Sequence, residues 1–173
     1  LIFDGFSDSA IRLTSSSDIR IESCQFVNNG IGVSIQQSQR TSVVLNTFEK
    51  NRDGVSVFDA RNNTVQFNVF DRNTEHGYIQ TFAPGDPSLN NIIQFNTFYG
   101  NGTVFDENNK HGAVNMGNNS GSIVEFNIFV ANARDYYHKP GLQQIRVNQN
   151  ISWQNVGVQA DLSLLPIVQL TVW

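Results

Sequence analysis

This chain of 173 residues is poor in several features that define common protein classes. Its single cysteine, Cys24, rules out a disulfide within the chain. The longest apolar stretch, Leu162 to Trp173, contains Pro166 and is too short to cross a bilayer. The eleven Lys and Arg are scattered, and the net charge is −4. We therefore expect no internal disulfide framework, no membrane span and no nucleic-acid partner.

A repeated pattern, Asn-x-Phe-x-x-Asn, runs through most of the chain. Copies begin at Asn46, Asn68, Asn96 and Asn127, a variant begins at Cys24, and a weaker copy begins at Asn150. Successive copies start 22, 22, 28, 31 and 23 residues apart. A period of about 20–30 residues is typical of a solenoid, in which each coil buries its apolar face against the next. The repeat therefore predicts an all-β solenoid of about six coils.

Each copy has the alternation expected of a short strand. Period-two spacing places alternate side chains on the same face. We expect eight apolar side chains before the repeated Asn to face inward: Val43, Leu45, Val65, Phe67, Ile93, Phe95, Val124 and Phe126. The Asn itself is expected to adopt the left-handed backbone conformation of a sharp corner. The Phe two residues later is expected to face inward again.

Stacking of the coils should place equivalent residues above one another at about 4.8 Å. The repeated Asn side chains then form an amide ladder, because each amide both donates and accepts hydrogen bonds. The Phe side chains Phe26, Phe48, Phe70, Phe98 and Phe129 should form a stack inside the coils. Cys24 takes the place of the ladder Asn in its coil, so a buried structural role is expected for it. We interpret both rows as determinants of the fold.

The segments Val65 to Phe70 and Ile92 to Phe98 resemble repeats of the pectate-lyase-like superfamily. That resemblance extends over about Asp4 to Asn155 and implies a right-handed parallel β-helix. The superfamily includes polysaccharide lyases, glycoside hydrolases, uronan epimerases, phage tailspikes and surface proteins without catalysis. Neither the Asp-Pro-His-Glu motif of the epimerases nor a Gly-Gly-x-Gly-x-Asp calcium repeat is present. The resemblance therefore predicts the fold and leaves the activity open.

The two ends of the chain differ from the repeats. Leu1 begins in mid-coil, so we expect upstream sequence that is missing here, or self-association that covers this end. Residues 1–158 are predicted to form the β-helix. Residues 159–173 are predicted to be an apolar tail that covers the other end or docks on a partner.

Insertions into the repeat are the predicted location of function, because they form loops on one side of a solenoid. The three insertions are Ala83 to Asn90, Gly102 to His111 and Ala133 to Pro140. We expect them to wall a trough over strands beginning at Gly77, Gly112 and Gly141. All three histidines fall at this corner, and His76 and His111 should lie about 5 Å apart.

We predict the following roles at this corner. The acid and base candidates are His111, His138, Tyr137 and Asp135. The candidate substrate contacts are Lys139, Arg134, Tyr136, Lys110 and Tyr78. His76, Glu107 and Asp106 are candidate ligands of a metal, so a divalent cation is a candidate cofactor.

These residue types suit chemistry on polysaccharides. A lyase that acts on acidic sugars needs a base, a cation at the sugar carboxylate and an acid at the leaving oxygen. A hydrolase needs two carboxylates instead, for which Asp106 or Glu107 with Asp135 are candidates. We therefore predict a protein that binds or cleaves an extended polysaccharide, with acidic polysaccharides among the candidates, outside the cytoplasm: extracellular, periplasmic or at the cell surface. The alternative is a structural or adhesive solenoid without catalysis, such as part of a surface protein or phage fibre.

Overall fold

The computed structural model describes residues 1–81, 88–102, 111–117, 119–138 and 145–155. These residues form coils of three strands, which visit three parallel sheets in turn. Sheet A consists of β1 Ile2–Asp4, β4 Gln25–Val27, β7 Thr47–Glu49, β10 Val69–Asp71, β14 Thr97–Tyr99, β18 Ile128–Val130 and β21 Ile151–Trp153. Sheet B consists of β2 Ser9–Thr14, β5 Ile31–Gln36, β8 Asp53–Phe58, β11 His76–Thr81, β15 Gly112–Met116 and β19 Tyr136–His138.

Sheet C completes the three-sided coil. It consists of β3 Arg20–Glu22, β6 Ser42–Val44, β9 Thr64–Gln66, β13 Ile92–Gln94, β17 Ile123–Glu125 and β20 Arg146–Asn148. The short strands β12 Ser88–Leu89 and β16 Asn119–Ser120 form a further pair. Each strand pairs in parallel with its equivalent in the adjacent coil. The predicted parallel solenoid of about six coils is therefore confirmed.

The stack of phenylalanine rings fills the interior behind sheet A. It runs through Phe3, Phe26, Phe48, Phe70, Phe98 and Phe129, and the centroids of successive rings lie 4.6–5.2 Å apart. Glycines of sheet B make room for these rings. A Cβ on Gly54 would lie 2.7 Å from a ring carbon of Phe70, and one on Gly77 would lie 2.6 Å from Phe98. The predicted Phe stack is confirmed.

The predicted amide ladder lies at the corner between sheets C and A. The side-chain oxygen of Asn68 accepts from the backbone N–H and the side-chain amide of Asn46, at 2.9 and 3.1 Å. Cys24 takes the first position, where its backbone N–H donates to Asn46 at 2.9 Å, and its side chain is only half-buried. A second ladder, from Asn29 to Asn155, follows the corner between sheets A and B.

Two details of the predicted corner are wrong. The left-handed conformation belongs to the residue before the ladder Asn, with φ of 56–57° at Leu45, Phe67, Phe95 and Phe126. The chain turns at that residue, so its side chain leaves the interior and the alternation ends there. These four side chains, expected to face inward, are 40–55% exposed, whereas Val43 and its equivalents are buried. Period-two spacing fails at this point because the corner interrupts the strand.

The predicted alignment of the later coils also needs correction. Gly112 pairs with His76, so Ala113 takes the position that was assigned to Gly112. Residues Tyr136–His138 form strand β19 of sheet B and are not part of a loop, so the expected strand at Gly141 is displaced. Gly141 itself and residues 156–173 lie outside the described residues, which leaves the boundary at residue 158 and the tail as predictions.

Within the described ranges, no helix is long and apolar enough to cross a membrane. The strands β1, β2 and β3 are each the outermost of their sheets at one end of the solenoid. Self-association through that end stays a prediction.

Candidate functional site

A cluster of ionisable side chains lies on the outer face of sheet B, near the start of strands β8 and β11. Asp53 and His76 are direct partners in the parallel register. Each precedes a glycine whose missing Cβ would point at the internal Phe stack. Asp53 contacts the half-exposed Arg52, and His76 contacts Asn115, which lies in the partly exposed row of Ser56 and Ile79, so both side chains lie toward the outer face. We call this group, with its neighbours Arg52, Glu75, His111 and Asn115, the His76 cluster.

His76 is held on both of its ring nitrogens. Its Nδ1 lies 2.7 Å from Oδ1 of Asp53, and its Nε2 lies 3.1 Å from the side-chain nitrogen of Asn115. An amide N–H can only donate, so Nε2 accepts and the ring proton sits on Nδ1, where it is donated to Asp53. Both side chains are buried by their neighbours, with 4–5% exposure. The pair therefore has a defined orientation and a defined tautomer.

His111, in the turn directly before strand β15, packs against this pair. Its ring meets that of His76 edge to face, with centroids 5.1 Å apart. Its Nε2 lies 3.9 Å from Oε2 of Glu75, and its side chain keeps 27% exposure. Burial, and then the neighbouring His76, hold the pKa of His111 below its ordinary value of 6.5, although Glu75 and Asp53 oppose the shift. His111 is thus neutral at neutral pH and within reach of solvent, as a proton acceptor must be.

One arginine, Arg52, lies beside the two carboxylates of the His76 cluster. Nε of Arg52 lies 3.2 Å from Oδ2 of Asp53 and 3.9 Å from Oε2 of Glu75. The Arg52 side chain is half exposed, so its charge faces solvent. With neutral histidines, the cluster carries two negative charges against one positive charge. It therefore does not attract a free polyanion strongly.

The predicted residues Arg134 and Tyr137 continue the same outer face one coil later. Tyr137 is the direct partner of Asn115 in the register. Tyr137 is buried, and Asn115 is partly buried. The guanidinium carbon of Arg134 lies 5.5 Å from the centroid of the Tyr137 ring. The structure therefore brings four predicted residues together: His76, His111, Arg134 and Tyr137.

Two other predicted residues point into the solenoid. Tyr78 is fully buried and donates to Oε1 of Gln80 at 2.7 Å, and Tyr136 packs against the core one coil on from Val114. Burial raises the pKa of both phenols above the ordinary value of 10. A sugar cannot reach the Tyr78 ring in this arrangement, and the Tyr136 ring is largely covered, so neither prediction as a sugar contact is supported.

Asp135 also leaves the expected corner. In the next coil, it takes the position of Gly54, Gly77 and Ala113 in the register. It accepts a hydrogen bond from Oγ of Ser152, and Ser152 takes the position of a Phe in the internal stack. Burial raises the pKa of Asp135 to about 7, against the lowering effect of the Ser152 hydrogen bond. This carboxyl therefore faces the interior at the end of the described solenoid and not the outer face of sheet B.

The remaining predicted residues lie outside the description in whole or in part. Asp106, Glu107, Lys110 and Lys139 are not described, and only the backbone of His138 is. That backbone pairs with Met116, four residues along the strand from Gly112, which pairs with His76. Four strand residues span about 13 Å, so the expectation of three histidines at one corner is wrong for the His138 backbone.

Sequence reasoning missed Arg52, Asp53, Glu75 and Asn115. Asp53 had a signal, since Asp53-Gly54 and His76-Gly77 are the same dipeptide position in successive coils. Stacking of that position implies contact between the carboxylate and the imidazole. Asn115 had no such signal, because its role depends on the one-residue shift that pairs Gly112 with His76.

Two other surfaces lie away from the His76 cluster. Phe67, Phe95 and Phe126 form an exposed stack at the corner of sheets C and A, with ring centroids 5.1–5.2 Å apart. These rings cover one another's faces, so their exposed edges offer little to a sugar that would stack on an aromatic face. A polar groove of serine and glutamine follows strands β2, β5 and β8, and its charged lining residues are Asp59 and Arg61.

The fold defines this molecule as a parallel β-solenoid protein with a polar cluster on one outer face. The chain belongs to the right-handed β-helix family, because the family model described as "Right handed beta helix region" matches residues 1–161. No curated protein gives a significant match to the chain. A β-helix hosts carbohydrate-active and structural proteins alike, so the function has to be argued from the site.

Proposed function

We propose that this protein binds an extended polysaccharide across the outer face of sheet B and cleaves it, with His111 as the group that transfers a proton. The observation that carries this proposal is the neutral, partly exposed His111 packed on the oriented Asp53–His76 pair. A solenoid built from repeats has no need of such a group for stability. We infer that it serves chemistry or recognition.

The shape of this face suits a polymer. One row joins Asp53 and His76, and a second row runs from Ser56 through Ile79 and Asn115 to Tyr137, both across successive strands and along the axis of the solenoid. The contact between His76 and Asn115 connects the two rows. Successive strands are spaced by about 4.8 Å, which gives a repeated set of contacts along a chain of sugars. Such ligands occur outside the cytoplasm, and we propose that location for this protein.

His111 would accept a proton in β-elimination, or would act with a carboxylate in hydrolysis. The described cations close to His111 are Arg52, which is half exposed, and Arg134, which is buried. A sugar carboxylate beside His111 would therefore have to bind Arg52 against the charge of Asp53 and Glu75. The charge count therefore favours a neutral glycan, or an acidic glycan whose carboxylates are already paired with cations.

The test is a panel of pectin, alginate, chondroitin and neutral glycans. Ultraviolet absorbance measures the unsaturated uronic products of a lyase, and the release of reducing ends measures hydrolysis. Retardation in glycan-containing gels measures binding. The His111→Gln variant should lower turnover by roughly 10²–10⁴-fold, the usual contribution of a general acid or base. The matched surface control is Gln39→Ala, in the polar groove, which should leave turnover unchanged.

Retention in the gels without turnover would contradict the proposed cleavage but would still support polysaccharide binding. Neither retention nor turnover on any member would contradict the whole proposal, as would an unchanged rate in His111→Gln.

The second candidate function is a structural or adhesive solenoid. The exposed stack of Phe67, Phe95 and Phe126 favours it, because a stripe of apolar ring edges suits contact with another protein surface better than contact with water. A panel without any glycan response would favour this second reading.

A further inference from the structure

We propose that Asp53, Glu75 and His76, joined by His111, bind a divalent transition-metal ion of the Zn²⁺ type. One ligand atom from each of the first three residues lies within 4.8 Å of the others. Nε2 of His111 lies outside this group of three, 3.9 Å from Oε2 of Glu75, so His111 would have to move toward the ion to bind it. This binding needs no glycan; because a metal-bound His111 nitrogen cannot accept a proton, the metal-bound cluster and the cluster that cleaves a glycan are alternative states.

The donor atoms indicate the class of ion. Two imidazole nitrogens and two carboxylates suit Zn²⁺ and neighbouring first-row metals, which accept nitrogen ligands at about 2.0–2.1 Å. Ca²⁺ and Mg²⁺ prefer sets of oxygen ligands. Asp53 and His76 are rigidly held by the sheet, whereas Glu75 and His111 lie in the turns and keep partial exposure. The site would therefore be half preformed and half closed by the ion.

The contact between Asp53 and His76 shows what binding would change. Their atoms are 2.7 Å apart, as in a hydrogen bond. Two ligands at about 2.0–2.1 Å from a tetrahedral ion are about 3.3 Å apart, so the ion would replace the ring proton and separate the two atoms by about 0.6 Å. The single N–H of the neutral ring would move from Nδ1 to Nε2, which leaves Nδ1 free to bind the ion. A rotation of the Asn115 amide would then present its oxygen to that hydrogen, the usual support for a metal-bound imidazole.

Arg52 occupies the position of a competing cation. Its Nε approaches both carboxylates, at 3.2 and 3.9 Å. Two carboxylates beside one arginine leave a net negative charge that a divalent ion would reverse. The half-exposed Arg52 side chain can move into solvent without disturbing the strands. Removal of Arg52 should therefore strengthen metal binding, whereas removal of a ligand should weaken it.

The experiment is calorimetric titration of the full chain with Zn²⁺, together with the visible absorption of bound Co²⁺. Glu75→Gln and His111→Gln should each weaken Zn²⁺ binding by roughly 10–100-fold or more and reduce the Co²⁺ absorption. Arg52→Gln should tighten binding. Asp18→Asn is the matched control, because Asp18 is an exposed carboxylate paired with Arg40 elsewhere on the molecule, and it should change nothing.

Circular dichroism should show that each variant keeps the strand signal, because the side chains of Glu75 and His111 are both partly exposed. No Zn²⁺ binding below about 100 µM would overturn the proposal. Binding that is unchanged in both ligand variants would overturn it as well, since the ion would then be held elsewhere. Because the titration contains no glycan, it can fail while the proposed cleavage stands, and the reverse also holds.

Discussion

The Asn ladder gives the sharpest prediction about stability, and Asn68 is the position at which it is best tested. The Asn68 side chain makes five hydrogen bonds. Its oxygen accepts from the backbone and side chain of Asn46, and the two hydrogens of its nitrogen are shared among three acceptors: the carbonyls of Val43 and Gln66 and Oδ1 of Asn96. All five distances lie between 2.9 and 3.1 Å.

Asn68→Ala removes all five bonds at once. The side chain of Asn46 keeps its bond to the carbonyl of Ile21, but the buried backbone N–H of Asn46 loses its acceptor. An orphaned buried donor costs about 1–3 kcal/mol. With the carbonyls that also lose a donor, we expect the free energy of unfolding to fall by about 2–4 kcal/mol.

Asn68→Asp has nearly the same shape and separates the two halves of the amide. The oxygen facing Asn46 is kept, but the second oxygen faces three acceptors at 2.9–3.0 Å. This repulsion raises the pKa of the new carboxyl in the folded state above its unfolded value. Its folded form is then favoured below the unfolded pKa, and stability is lost as the pH rises through the folded pKa. Asn68→Asp should be less stable than Asn68→Ala at pH 7 and should recover on acidification.

The assay is urea unfolding followed by circular dichroism at pH 7 and pH 4. Gln25→Ala, at an exposed strand position, is the control and should stay within about 0.5 kcal/mol of the wild type. The reasoning is refuted if Asn68→Ala behaves like this control, or if Asn68→Asp is as stable as the wild type at pH 7.

Three further predictions follow from the interior. Phe70→Ala should lower the free energy of unfolding by about 3–5 kcal/mol, because the ring is fully buried between two others. Phe67→Ala, at an exposed ring, should lower it much less. Equal losses in urea unfolding would contradict the assignment of Phe70 to the internal stack and of Phe67 to the exposed one. Gly54→Ala should cost about 1–3 kcal/mol by overpacking, because its Cβ would lie 2.7 Å from the Phe70 ring; an unchanged thermal midpoint would be the contrary result. The pKa of Asp135 in the folded protein is about 7, above the ordinary 3.8, so the free energy of unfolding should fall as the pH rises from about 4 to 7. Asp135→Asn should remove that fall in unfolding curves measured across this range. The same pH dependence in the variant and the wild type would contradict the burial of this carboxyl.

Much of the fold could be predicted from the sequence because the repeat expresses it directly. Asn68 and Phe70 recur with their neighbours, so a single coil predicts the interior of all the others. The corner at Phe67 could not be read in this way. Its apolar side chain continues the strand alternation in sequence, and only the left-handed backbone at that residue turns it outward.

The candidate site was predictable only in part, because its chemistry depends on register between coils. His76 and His111 were found through their positions before glycines, and their rings do meet. The one-residue shift at Gly112 and the strand at Tyr136 could not be foreseen, since both depend on where an insertion is accommodated. For that reason Asp135 was expected beside the histidines and lies instead against Ser152.

The central claim is that function resides in the His76 cluster on the outer face of sheet B. The most direct measurement is a map of amide chemical shifts by NMR during titration with an oligosaccharide from the glycan that the protein retains. We predict shifts confined to residues 52–56, 75–79, 111–115 and 134–137. Shifts that follow Phe67, Phe95 and Phe126, or the groove at Asp59 and Arg61, with none in the cluster, would contradict the account.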